Sequence, residues 1–277
     1  MMANRKLSLR AIERVRSSMM IGSSVDMRAK QSLGQNFLMH ARIAERIALV
    51  AGITPETTVF EIGPGTGMLT RELLKLAKHV IALEADHELL AALQIDFANE
   101  IAEGRLQLIS GDIRTFAISS LPKGYVLAAN IPYYLTGEIF RMFLETDNQP
   151  RTMTLLVQKE VAVRIARSKK ESILSLSVKA YGTPKYEFTV PRGAFNPAPN
   201  VDSAVLTVRD ISRSKFASKA AEEKFFALLH AGFAHKRKFV RNNLTEAGLS
   251  AGDIPEKARA EDLALEQWLR LSRCEQA

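Results

Sequence analysis

The segment TVFEIGPGTG, residues 58–67, decides the fold of this chain. A short apolar run, TVFEI, is typical of a buried strand, and it is followed by the closely spaced glycines Gly63, Gly65 and Gly67. Glycine lets the backbone approach a ligand that a side chain would exclude. The pattern therefore predicts a strand, a ligand-binding turn and a helix at 66–77, with a tight turn that binds nothing as the structural alternative.

Strand-like and helix-like segments alternate on both sides of this turn. Further strands are predicted at 79–84, 106–110, 125–130 and 153–158, and further helices at 39–51, 87–98 and 138–145. Such alternation predicts a parallel sheet that is covered by helices on both faces. Three later segments also look like strands, and we expect antiparallel edge strands there: 173–182, 186–191 and 203–209.

Three regions are predicted along the chain. Residues 1–30 form a leader rich in arginine and serine, which we expect to be disordered, although a transit peptide would have the same composition. Residues 31–210 form the ligand-binding domain. Residues 215–277 look helical throughout and are predicted to form a small second domain.

Composition limits the classes of protein that remain. The chain has 277 residues, 47% hydrophobic and 25% charged, with a net charge of +8, which suits a polyanionic partner without requiring one. A membrane span is not expected, because no apolar run approaches ~20 residues. One cysteine, Cys274, excludes a disulfide framework, and the five histidines lack metal-ligand spacing. We expect a cytoplasmic, monomeric protein without a metal.

Acidic side chains follow two of the predicted strands. Ligands of open α/β sheets bind at the carboxyl ends of the strands, where Glu84 could accept both hydroxyls of a ribose. Asp112 could accept from an adenine amine, or it could simply cap a helix. These acids predict a cofactor that contains a nucleoside. A nicotinamide dinucleotide is the alternative, but the third glycine comes one residue too early for that pattern.

The segment AANIPYYLTG, residues 128–137, ends the fourth predicted strand with an amide, a proline and two aromatics. The side-chain oxygen of Asn130 and the carbonyl of Ile131 could accept the hydrogens of an exocyclic amine. Such acceptors favour a tetrahedral, nucleophilic nitrogen and stabilise the charge that develops on it. Tyr133 could stack on the base, worth ~1–3 kcal/mol. A turn with chance aromatics is the alternative.

Taken together, these strings resemble the ribosomal RNA adenine dimethyltransferase family over residues 30–277. In that family, LGQNFL (33–38) would place Asn36 and Leu38 against the cofactor, which is S-adenosylmethionine. The resemblance also implies that Gly63 and Gly65 lie at the cofactor, that Glu84 holds the ribose and that Asp112 holds the adenine. Asn130 would be the motif asparagine, which both contacts the cofactor and takes part in the reaction.

Two further strings extend the resemblance. GAFNPAPNVDSAV (193–205) implies that Phe195 stacks on the target base opposite Tyr133, and the pattern itself predicts a proline-rich loop with an exposed aromatic. HKRKFVRNNL (235–244) resembles a basic helix that contacts RNA. Its cations are Lys236, Arg237, Lys238 and Arg241. Helical spacing would put Arg237 and Arg241 on one face, while Phe233, Val240 and Leu244 could point at the core.

The resemblance implies a Rossmann-like α/β methyltransferase with a seven-stranded, mainly parallel sheet and a small C-terminal helical domain. The implied reaction is N6,N6-dimethylation of two adjacent adenines in a terminal loop of 16S rRNA, with the immature small ribosomal subunit as partner. A large-subunit rRNA adenine N6-methyltransferase of the antibiotic-resistance type is the alternative substrate choice. Two other classes stay open: a nicotinamide-dependent oxidoreductase and a non-catalytic RNA-binding assembly factor.

Overall fold

The computed structural model describes residues 35–273. The predicted basic leader, the first two residues of LGQNFL and Cys274 lie outside this range. Within it, no helix is long and apolar enough to cross a membrane.

Along the chain, helices and strands follow the predicted order up to residue 158. The nine strands of the described range are β1 (Phe37–Leu38), β2 (Thr58–Ile62), β3 (His79–Glu84), β4 (Leu106–Ser110), β5 (Val126–Asn130), β6 (Thr152–Gln158), β7 (Thr183–Val190), β8 (Phe195–Asn196) and β9 (Ser203–Arg209). The ten α-helices are α1 (Ala41–Val50), α2 (Met68–Leu76), α3 (His87–Asp96), α4 (Ala98–Ala102), α5 (Thr136–Glu145), α6 (Lys159–Ala166), α7 (Ile173–Tyr181), α8 (Lys219–Gly232), α9 (Val240–Glu246) and α10 (Leu265–Arg273).

Seven of the strands form one sheet in the order β4-β3-β2-β5-β6-β9-β7. The first five are parallel to one another, whereas β9 pairs antiparallel with both β6 and β7. The predicted seven-stranded, mainly parallel sheet and its antiparallel edge are thus confirmed. The chain runs outward from β2 to β4 and then returns to β5 beside β2, so the topological switch point lies between β2 and β5.

Both faces of the sheet are buried, which explains why its strands are apolar rather than alternating. Successive residues of β2 pack on opposite faces: Val59 joins the cluster that includes α1 and α2, while Phe60 joins the cluster that includes α5. This double burial fixes the strands rigidly, so the loops at their carboxyl ends have defined positions.

The prediction of a strand at 173–182 was wrong, because this segment forms α7. Ser172 and Ser175 make reciprocal side-chain and backbone hydrogen bonds, a capping box that begins the helix. Leu176 and Ala180, one turn apart, are buried against the C-terminal helices. Their i, i+4 spacing suits a helix, but a short apolar run is ambiguous when periodicity is the sole guide.

The C-terminal helices α8, α9 and α10 surround Trp268, which is fully buried. The predicted single helix across 235–244 was wrong. Helix α8 ends at Gly232, turns occupy 233–238, and α9 begins at Val240. Val240 and Leu244 are nevertheless core residues, as expected. The domain bounds at 31–210 and 215–277 stay a prediction, and α7 contributes side chains to the C-terminal cluster.

Candidate active site at the carboxyl edge of the sheet

One pocket lies where β2, β3, β4 and β5 end, at the topological switch point. It is lined by most of the residues that the sequence singled out for the cofactor and the reaction. These are Asn36, Leu38, Gly63, Gly65, Glu84, Asp112, Asn130 and Tyr133. Phe195 and the four basic residues of 236–241 are not part of its lining.

The glycine turn is open toward a ligand at one position and tightly packed at another. Gly63 and Gly65 have φ values of 65° and 58°, in the left-handed region. A Cβ on Gly63 would meet no atom within 4 Å, whereas one on Gly65 would come 3.1 Å from the ring of Phe37. Gly63 thus leaves free space at the pocket, and Gly65 lets the turn pack against the N-terminal motif.

Glu84 links the end of β3 to this turn. Its Oε2 accepts a hydrogen bond from the Gly65 N–H at 3.1 Å, and its Oε1 accepts from the Asp86 N–H at 2.9 Å. Burial raises the pKa of the carboxyl above its usual range, and the two N–H donors offset part of that rise. The predicted ribose acceptor is therefore already positioned by backbone donors.

Glu61 is a pocket residue that the sequence analysis missed, because it stands within the strand pattern TVFEI. It is buried in β2 with 1% of its surface exposed, and its Oε2 has no hydrogen-bond partner among residues 35–273. Burial raises its pKa to about 8, and the nearby negative charge of Glu84 adds to the rise. A carboxyl in this environment is largely protonated at neutral pH.

Asp112 acts as a cap, which was the alternative to its recognition of an adenine amine. Its carboxylate accepts the N–H of Arg114 at 2.9 Å, which caps the 3₁₀ turn Ile113–Thr115. The Arg114 guanidinium also binds both carboxylate oxygens, with Nε 3.0 Å from Oδ1 and 3.1 Å from Oδ2. These bonds hold the pKa of Asp112 below its usual range. Adenine recognition by Asp112 stays a prediction.

Asn130 is held in place from the other side of the pocket. Its Nδ2 donates to the backbone carbonyl of Asn36 at 3.1 Å. This bond joins the N-terminal motif to the end of β5 and engages the nitrogen of the amide. The side-chain oxygen is then the atom that can accept a hydrogen bond from a ligand in the pocket.

Tyr133 is positioned by a residue that sequence reasoning also missed. Its hydroxyl lies 2.6 Å from the Oγ of Ser203, at the start of β9. Burial raises the pKa of the Tyr133 phenol, and the hydrogen bond to Ser203 offsets part of that shift. Ser203 belongs to the segment GAFNPAPNVDSAV, and a lone serine at the start of a strand gave no signal of this contact.

Phe195 was predicted to be exposed, and this prediction was wrong. The ring is 5% exposed and packs in the core cluster beside Leu38. Strand β8 pairs antiparallel with β1, so that Leu38 faces Phe195 and Phe37 faces Asn196. Packing between two motifs distant in sequence explains the burial. Stacking of Phe195 on a target base stays a prediction.

The predicted RNA-binding cations lie outside the pocket, in the C-terminal region. Lys236, Arg237 and Lys238 are exposed in the turn that precedes α9, and Arg241 is half-buried in its first turn. Lys238 forms an ion pair with Glu246 at 2.6 Å. The predicted shared helical face of Arg237 and Arg241 was wrong, because Arg237 precedes the helix.

Comparisons with known proteins agree with this arrangement. A family model described as ribosomal RNA adenine dimethylase matches residues 26–276. A ribosomal RNA small subunit methyltransferase A of Dehalococcoides mccartyi is 39% identical over 259 residues, which cover 88% of each chain. A protein of the same name from Bacillus pumilus is 37% identical over 265 residues, covering 88% of this chain and 90% of that one.

Two solved structures share the fold over most of their length. The 23S rRNA methyltransferase ErmE aligns with a TM-score of 0.70 and 27% identity, covering 86% of this chain and 98% of that one. A dimethyladenosine transferase from Plasmodium falciparum aligns with a TM-score of 0.70 and 26% identity, covering 85% of this chain and 95% of that one.

Fold and site define a Rossmann-like methyltransferase. The chain belongs to the ribosomal RNA adenine dimethylase family, which contradicts the nicotinamide-dependent alternative.

Proposed function

We propose that this chain dimethylates N6 of two adjacent adenines in a terminal loop of 16S rRNA, with S-adenosylmethionine as methyl donor, during assembly of the small ribosomal subunit. The observation that carries the proposal is the position of Asn130. Its amide is anchored to the Asn36 carbonyl, in a pocket that also contains the glycine turn, Glu84 and Tyr133.

The pocket fits S-adenosylmethionine, which supplies an electrophilic methyl group when it is bound. Glu84 would accept the ribose hydroxyls and Asp112 the adenine amine, since both carboxylates line the pocket beside the glycine turn. Gly63 leaves room for close approach of the ligand. Asn36 and Leu38, from the N-terminal motif, would close the opposite wall around the methionine and adenosine parts.

Asn130 would prepare the adenine amine for attack. Its side-chain oxygen and the Ile131 carbonyl accept the two amine hydrogens, which withdraws the nitrogen lone pair from the ring. The same oxygens would stabilise the positive charge on the nitrogen as its lone pair forms the new C–N bond, the C–S bond of the sulfonium breaks and S-adenosylhomocysteine leaves. The methylated nitrogen would then lose one proton to solvent. Holding the two reacting atoms in line could contribute ~7–11 kcal/mol of barrier reduction.

Tyr133 would hold the target base by stacking. Because its hydroxyl is hydrogen-bonded to Ser203, the ring has a fixed orientation before RNA binds. Phe195 is our candidate for the other face of the base, although its burial means that β8 or the ring would have to shift. The cations Lys236, Arg237, Lys238 and Arg241 would contact phosphates and position the RNA without reading its sequence.

The choice of small-subunit rRNA follows from the relatives. Two of the proteins described above are named small subunit methyltransferase A and share 37–39% identity with this chain. The 23S rRNA methyltransferase ErmE shares 27%. The large-subunit alternative is therefore less supported. A role as an assembly factor is compatible with catalysis, as Asn130 and Tyr133 are both present.

The test offers purified protein, with S-adenosylmethionine, two substrates: unmodified small ribosomal subunits and protein-free large-subunit RNA. Mass spectrometry of nucleosides then measures N6,N6-dimethyladenine in each. We expect the product in the small subunit alone. Product confined to the large-subunit RNA would overturn the substrate choice and leave the chemistry standing, whereas no product in either would overturn the proposed reaction.

A further inference from the structure

Tyr134 differs from Tyr133, although the two are adjacent in one 3₁₀ turn, Tyr133–Leu135. Tyr133 is half-buried and bonded to Ser203, whereas Tyr134 is 64% exposed. Among residues 35–273, its hydroxyl makes no hydrogen bond and its ring stacks on no other aromatic ring. Yet Tyr134 lines the same pocket as Asn130. Its ring therefore contributes little to the core and is presented at the mouth of the site.

Arg114 lies at the same mouth. It lines the pocket, its side chain is 56% exposed, and its partner is the carboxylate of Asp112. The pKa of Arg114 is raised, chiefly by the hydrogen bond to Asp112, and Glu138 and Tyr134 are close enough to add to the rise. The guanidinium binds Asp112 through its Nε and Nη2, so the N–H groups of Nη1 are available to a phosphate while this ion pair persists.

An aromatic face and a guanidinium at one opening suit a nucleotide. The ring offers a stacking surface for any base, and the guanidinium offers planar donors that match a phosphate. In a 3₁₀ turn, consecutive side chains project about a third of a turn apart. Tyr133 and Tyr134 therefore cannot stack on the same base, and a ligand of Tyr134 must be a second nucleotide.

We propose that Tyr134 and Arg114 form a second nucleotide subsite, which holds the nucleotide adjacent to the target adenine with its base on Tyr134 and its phosphate on Arg114. This inference rests on the proposed function and names how the same site handles neighbouring nucleotides. For two adjacent adenines, the subsite holds whichever adenine is not being methylated. It positions substrate and takes no part in the transfer of the methyl group.

The test is a double-mutant cycle that compares two enzymes, wild type and Tyr134→Ala, on two RNAs. Small subunits are reconstituted with RNA that carries either an adenine or an abasic nucleotide next to the target adenine, and the first methyl transfer is followed in a single turnover. On the adenine RNA, Tyr134→Ala should slow transfer about tenfold, because one stacked base is lost. On the abasic RNA, wild type should already be slow, and Tyr134→Ala should add no further loss.

Three further variants separate stacking from general damage. Tyr134→Phe keeps the ring and should transfer at the wild-type rate. Leu49→Ala removes a similarly exposed large side chain from α1, away from the pocket, and should have no effect. Arg114→Gln should flatten the salt dependence of RNA binding by ~0.7 in slope, as expected when one phosphate is no longer neutralised.

Each outcome decides one point. Equal losses for Tyr134→Ala on both RNAs, or no loss on either, would overturn the subsite while wild-type activity upholds the proposed function. No transfer by wild type to either RNA would overturn the proposed function and the subsite with it. An unchanged salt slope in Arg114→Gln would remove Arg114 from the subsite.

Discussion

The pocket at the carboxyl edge of the sheet and the basic turn before α9 hold their functional side chains in different ways. In the pocket, segments far apart in sequence are joined by hydrogen bonds, such as Asn130 to Asn36 and Tyr133 to Ser203. In the basic turn, Lys236 and Arg237 project into solvent. Methyl transfer needs atoms in fixed positions, whereas phosphate binding tolerates adaptable cations. We therefore expect substitutions to act on chemistry in one region and on RNA affinity in the other.

The largest effect should come from Asn130→Ala, which removes the acceptor for the adenine amine. We expect turnover to fall about 10²–10³-fold, as for loss of one preorganised polar group, while RNA binding stays near wild type. Single-turnover transfer to small subunits and a filter-binding assay measure the two separately. Asn99→Ala, on the exposed side of α4, is the matched control. Near-normal turnover in Asn130→Ala would remove the proposed mechanism.

The second largest effect should be weaker cofactor binding in Glu84→Ala. Loss of a buried acceptor leaves its partners unpaired, at ~1–3 kcal/mol, so we expect a dissociation constant about 5- to 150-fold higher by calorimetry. Asp112→Ala should act in the same direction. Asp96→Ala removes an exposed carboxylate outside the pocket and serves as control. Unchanged affinity in both Glu84→Ala and Asp112→Ala would show that the cofactor does not bind at these strand ends.

Replacing Lys236, Arg237 and Arg241 with alanine should weaken RNA binding and leave cofactor binding intact. The slope of log affinity against log salt should fall by ~0.7 for each phosphate that is no longer neutralised on single-stranded RNA. A control triple variant replaces Lys75, Lys78 and Lys123, which lie toward the opposite, amino edge of the sheet. If both triple variants lose affinity equally, the basic turn has no special role in docking.

The smallest effect should be a pH-dependent change in folding stability that comes from the buried carboxyl of Glu61. This carboxyl binds its proton more tightly in the folded protein than in the unfolded chain, because burial raises its pKa. The stability linked to it is therefore present in full below about pH 4.5 and is lost as the pH rises through about 8. Glu61→Gln should raise the melting temperature relative to wild type more at pH 8.5 than at pH 6, measured by differential scanning fluorimetry. An equal difference at both pH values would contradict the buried, protonated carboxyl.

The same contrast explains how much the sequence could predict. The parallel strands and their carboxyl-edge residues were predictable because short apolar runs mark the strands and glycine or polar residues follow them, and the carboxyl ends of parallel strands meet at one edge. Pairings between distant segments carried no local signal. The pairing of Leu38 with Phe195 buried a ring predicted to be exposed. Ser203 belongs to the segment GAFNPAPNVDSAV, but nothing in that segment indicated its contact with Tyr133.

The errors in helical segments have a related cause. For 173–182, alternating small and apolar residues fit a strand as well as a helix, and tertiary packing of Leu176 decided the outcome. For 235–244, the apolar spacing of Val240 and Leu244 was correct, but the helix begins only at Val240. Helix ends depend on capping and on neighbouring elements, which a run of basic residues does not reveal.

The most direct test of the central claim is the adenine content of rRNA in cells that lack this protein. Small-subunit rRNA is isolated from the deletion strain and from strains complemented with wild type or Asn130→Ala, and N6,N6-dimethyladenine is quantified by mass spectrometry. We predict that both dimethylated adenines of the terminal loop disappear on deletion, return with wild type and stay absent with Asn130→Ala. Unchanged dimethyladenine in the deletion strain, or full restoration by Asn130→Ala, would contradict the account.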